Sequence, residues 1–170
     1  MTEATSSALP RTPLQQAMDR LASATIAIAA AALLALVLVQ GWQVIARYVL
    51  NDSPSWTEPL TLLLLSTTMA MGAAAGVHER RHFAFALLAE ALPASVNRVL
   101  QAVSQLIIAL IGAAAAWWGF MLFVDGLHIP AAGADLPQGA SYLPLAIGGA
   151  LMVLFALHQF IATTRGSGTR

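Results

Sequence analysis

Four stretches without a single charged side chain constrain this chain more than any other feature: Leu21 to Ala46 (26 residues), Pro59 to His78 (20), Val99 to Val124 (26) and Leu136 to Thr164 (29). At 1.5 Å per residue, a helix over any of them reaches about 30 Å or more, the thickness of a hydrocarbon core. Inside a bilayer the backbone must satisfy its own hydrogen bonds, so helices are the expected form. Pro137 and Pro144 place the start of the fourth helix near Ser141. The expected fold is therefore all-α and integral to the membrane, with spans at about 21–46, 57–78, 99–124 and 141–164. Only 9% of the residues are charged and mean hydropathy is +0.74, against roughly 25% charged in soluble domains. A water-soluble globule is excluded.

The first apolar run, Ala24 to Val39, exceeds the roughly 7–15 residues of a signal-peptide core and follows some twenty polar residues, so it reads as a retained span. Residues 1–18 read as a flexible cytoplasmic lead and 165–170 as a cytoplasmic tail, flanking a membrane domain at 19–164. Orientation follows the arginines, which gather on the cytoplasmic side. Arg11, Arg20, Arg80, Arg81, Arg98, Arg165 and Arg170 share one side, whereas Arg47 stands alone on the other. The loop 125–140 on that other side, expected to be periplasmic, holds Asp125 and Asp135 and no Arg. Both termini are thus expected in the cytoplasm. Trp42, Tyr48, Trp56, Trp117, Trp118 and Tyr142 all fall toward the outer helix ends, where amphipathic rings settle among headgroups. Between spans two and three, Phe83, Leu87 and Leu88 form one apolar stripe flanked by His82, Glu90 and arginines, with Pro93 closing the segment. It is too short to span, and residues 82–92 are expected as an interfacial amphipathic helix.

Eight Arg against eight Asp and Glu give a net charge of zero, which offers nucleic acid no attractive field. The absence of Cys excludes disulfides, thiolate metal sites and thiol catalysis. Four histidines raise the question of a metal or haem. His78 and His82 are spaced i,i+4, which puts two imidazoles on one helix face, but both lie among charges at the cytoplasmic end. A bis-His haem needs ligands from two helices at one depth, which only His158 with His78 or His82 could supply. No metal site and no cofactor are expected. Nor does an ionisable group stand at the centre of any span, where a charge would cost at least about 2.5–3.5 kcal/mol and mark an ion or substrate path. The polar residues inside are Thr25, Gln40, Gln43, Thr67, Thr68, Ser104 and Gln105.

Small residues mark close helix contact. Gly72-Ala-Ala-Ala-Gly76 is a GxxxG repeat in span two, and Gly112, Ala116 and Gly119 recur in span three. Their partner could belong to this chain or to another. In the first outer hairpin, Asn51 to Ser55 is turn chemistry, and Ser55 with Glu58 has capping-box spacing, although Pro59 makes a start at Thr57 or Glu58 equally plausible. Arg47 closes one helix and Glu58 opens the next, so an ion pair across the hairpin is expected.

Taken in order, Arg47-Tyr48 at the end of span one, a polar turn, Trp56-x-Glu58 opening span two, Gly72-Ala73-Ala74 late in that span, and a basic turn with His82 resemble one family. It is the small membrane subunit of tripartite ATP-independent periplasmic (TRAP) transporters. The motifs run from about Gly41 to Pro93, and length and four-span topology extend the likeness to the whole chain. Members often carry a second acid after the Glu, where this chain has Pro59. The resemblance implies a non-catalytic scaffold in a bacterial inner membrane, bound to a large permease subunit that carries the substrate and sodium sites. A periplasmic binding protein would deliver a small organic anion. On this basis Arg47, Tyr48, Trp56, Glu58, Gly72, Gly76 and His82 are candidate structural or partner-contact residues. The alternative is a four-helix anchor of a respiratory enzyme, binding haem or quinone.

Overall fold

The computed structural model describes residues 13–52, 54–79 and 94–165. Four helices account for nearly all of it: α1 (Pro13–Tyr48), α2 (Thr57–His78), α3 (Ala94–Gly126) and α4 (Leu143–Arg165), the last preceded by a 3₁₀ turn at Gln138–Tyr142. All four are long and apolar enough to cross a membrane. The expected all-α membrane fold is what the chain adopts. The 82–92 segment, His82 included, lies outside the described residues.

Two boundaries differ from expectation. The first helix begins at Pro13, so residues 13–18, read above as flexible lead, are helical. Proline is well suited to an opening helical position because its missing N–H is unbonded there anyway. The third helix begins at Ala94, one residue after Pro93, and so runs five residues ahead of its charge-free stretch. Charge spacing locates the part of a helix that sits in lipid, whereas helix ends follow local backbone chemistry.

The packing order is not the chain order. Among the described residues α2 packs on both α1 and α4, and α4 packs on α3, leaving α1 and α3 at the two flanks without extensive contact between them. The hydrophobic core is small and lies toward the end opposite the α1–α2 hairpin: Ala22 of α1, Ala74 and Val77 of α2, and Phe155 and Ala156 of α4, bordered by Ile108 and Ala109 of α3. Most of the large apolar side chains face outward, including Leu38, Leu110 and Met69. Lipid tails are as apolar as leucine, so these residues gain little from burial, and close backbone approach does the work instead.

That approach occurs at α3 and α4. A Cβ on Gly112 would stand 3.0 Å from Gly149 O, and one on Gly149 would stand 2.5 Å from Ala116 N. On the other side of α4, a Cβ on Gly148 would come within 2.8 Å of Ala70 O in α2. Gly112, Ala116 and Gly119 therefore pack within the chain. By contrast, a Cβ on Gly72 or Gly76 would meet nothing within 4 Å, and Gly72 and Ala73 are exposed. The GxxxG face of α2 is turned away from its own helices.

Candidate functional site: a polar node at one end and the hairpin at the other

One polar cluster draws on all four helices. Asp19 of α1 accepts at Oδ1 from His78 Nε2 of α2, 3.0 Å away. The His78 ring rests on Phe155 of α4, centroids 5.0 Å apart and tilted by 55°. Gln159, also of α4 and buried, donates from Nε2 to Val77 O at 2.6 Å and to His78 O at 3.1 Å. Its Oε1 accepts from Gln105 Nε2 of α3 at 2.9 Å. The last carbonyls of a helix have no partner within it. Gln159 reaches across from a neighbouring helix to meet two of them.

The depth of this node follows from residue counting. Glu58 to His78 is twenty residues along α2, and Gln105 to Asp125 is twenty along α3. At 1.5 Å each, both distances are about 30 Å, one hydrocarbon thickness. The node therefore lies at one edge of the apolar slab, with Glu58 and Asp125 at the other. Three threonines within the slab bond to their own helices: Thr25 Oγ1 donates to Leu21 O at 2.8 Å, Thr67 Oγ1 to Leu63 O at 2.7 Å and Thr68 Oγ1 to Leu64 O at 2.9 Å. Gln40 Nε2 donates to Thr61 Oγ1 at 3.1 Å and ties α1 to α2.

At the hairpin end, Asn51 takes the left-handed conformation, φ 54°, that its short polar side chain tolerates. The second helix opens at Thr57 with Trp56 in the capping position, and no side chain caps it. Thr57 is fully buried and donates from Oγ1 to Pro54 O at 2.8 Å. Ser55 does not cap either. Its Oγ donates instead to Gly133 O at 3.0 Å, joining the hairpin to the 127–142 loop. That loop is pinched by Ala131 N to Leu136 O and Gln138 N to Ile129 O, both 2.9 Å. Pro59 is buried early in α2, where a missing N–H leaves no bond unmade.

The expected ion pair across the hairpin does not form. Arg47 and Glu58 are both exposed and do not meet, whereas His78 and Asp19 are in contact at the other end of the molecule. Two exposed charges at a rim are already solvated, so pairing would gain little against the entropy of holding them together. Tyr48 and Trp56 are exposed beside them, as are Trp42, Trp117 and Trp118 in the same half of the molecule.

Sequence reasoning placed Gln105 inside a span and His78 at a helix end, but it missed Gln159 and the convergence of all three with Asp19. A buried Gln in an apolar span was the available signal, since such a side chain needs a partner on another helix. The haem-anchor alternative finds no support. His78 Nε2 is held by Asp19, and His82, the other ligand considered with His158, lies outside the described residues.

Comparison with known proteins agrees with the motif reading. No curated protein matches the chain at a significant level. A family model described as the DctQ component of tripartite ATP-independent periplasmic transporters matches residues 36–166, well over half the chain. That interval contains the hairpin, the α2 glycines and three of the four helices that meet in the node, and this chain belongs to the DctQ family of TRAP transporter components.

Proposed function

We propose that the chain is the non-catalytic small subunit that supports a large permease subunit in sodium-coupled, binding-protein-dependent uptake of a small organic anion. One observation carries this reading: among the described residues, every Asp, Glu and Arg lies at or beyond the ends of the apolar slab, so no ionisable side chain stands at depth. A path for an anion and its coupling ion is marked by ionisable groups at depth. Four helices lacking them serve as a support. The α2 face carrying Gly72 and Gly76, where an added Cβ meets nothing within 4 Å, suits close contact with a partner helix, because small residues let backbones approach.

In this reading the node end faces the cytoplasm of a bacterial cell, with both termini there, and the hairpin end faces the periplasm, as the arginine distribution favours. The membrane domain is 19–164. Arg47, Tyr48, Trp56 and Glu58 form the rim presented to the binding protein or the large subunit. Reconstitution tests the reading. Sodium-dependent uptake into proteoliposomes should require both membrane subunits and the binding protein. Uptake by vesicles holding only this chain would overturn it.

A further inference from the structure

The four-helix node contains two polar atoms that the protein does not meet. His78 Nδ1 and Gln105 Oε1 are both sealed from the surface and have no hydrogen-bond partner. Their chemical state follows from their neighbours. Gln159 Nε2 faces two carbonyl oxygens and must be the amide nitrogen, so Gln159 Oε1 is the acceptor for Gln105 Nε2. That fixes the Gln105 amide with its oxygen as the unmet atom. Likewise His78 Nε2 faces a carboxylate oxygen, which accepts, so Nε2 carries a hydrogen, and in the neutral imidazole Nδ1 then keeps its lone pair.

Gln105 Oε1 is thus an acceptor that lacks a donor, and so is Nδ1 of the neutral His78 ring. Lipid tails offer none, and Phe155, which lies against the His78 ring, is apolar. Buried acceptors of this kind are ordinarily met by ordered water. Access is at hand, because the His78 side chain keeps 17% of its exposure and that of Asp19 keeps 44%, at the edge of the slab. We propose that the node is a hydration site, with bound water donating to His78 Nδ1 and to Gln105 Oε1. The four helices then meet in a hydrated polar joint and not a dry one. This inference is independent of the transport reading, since it rests on the acceptors alone.

Solid-state NMR of the full chain in lipid, with labelled histidine and glutamine, tests it. The His78 resonances are assigned by their loss in His78→Gln. The expected result is a neutral ring with hydrogen on Nε2 and none on Nδ1, and water-to-protein magnetisation transfer at His78 and Gln105 several-fold faster than at the Gly119 amide, which is buried between α3 and α4. Hydrogen on Nδ1, or transfer no faster than at Gly119, would overturn the proposal.

Discussion

Gln159 on α4 donates to Val77 O at the end of α2 across 2.6 Å, closing a helix terminus that its own helix cannot close. The same side chain holds Gln105 of α3, so one residue joins three of the four helices. Replacing Gln159 by Leu should leave two carbonyls and one amide unmet and cost about 1–3 kcal/mol. Gln159→Glu should cost more, because it sets carboxylate oxygen against carbonyl oxygen. Unfolding of the purified chain in mixed detergent measures both, and a Leu variant as stable as the parent would contradict the role assigned to Gln159.

Glycines on the two faces of the helix row should behave oppositely. Gly149→Ala drives a methyl toward Ala116 N and Gly112 O, 2.5 and 2.7 Å away, with backbone on the receiving side. Overpacking of this kind costs roughly 1–3 kcal/mol. Gly72→Ala and Gly76→Ala meet open space, and higher helix propensity should make each neutral or stabilising by up to about 1 kcal/mol. Thermal denaturation of the chain alone distinguishes the two sets.

The same α2 face should matter once the partner is present. Gly72→Leu with Gly76→Leu is expected to leave the folding of the chain alone intact while reducing recovery of the large permease subunit in co-purification. Undiminished recovery would remove this face from the interface.

Arg47 and Glu58, exposed and unpaired with each other, should show little coupling. Alanine at either position should change the stability of the chain by no more than about 0–1 kcal/mol, and a double-mutant cycle should return a coupling near zero. Transport by the reconstituted complex is the second readout, and it should fall if this rim meets a partner.

Topology can be read with an impermeant thiol reagent, since the chain has no native Cys. Cysteines at Ser6, Ser95 and Ser167 should be shielded in intact cells, and one at Ala132 should label. Gly133 is the wrong probe: its φ of 85° is strained for any other residue, and a Cβ there would run into Ser55. Labelling at Ser95 with protection at Ala132 would reverse the orientation.

Span number and helical class were legible in the residues alone, because the cost of placing Arg20, Arg47, Glu58, Glu79 or Asp125 in hydrocarbon depends on the side chain and its depth, not on which helix lies alongside. The hairpin motif was legible for a similar reason, being continuous in the chain. Which glycines pack was not. Gly72 and Gly112 look alike in sequence, yet Gly112 meets Gly149 and Gly72 meets nothing, since the outcome depends on how each helix is rotated about its axis and which neighbour it has. The node was hidden for the same reason. Asp19, His78, Gln105 and Gln159 are separated by 59, 27 and 54 positions in sequence, and only the packing of α2 against α1 and α4, and of α4 against α3, brings them to one depth where each polar group needs the next.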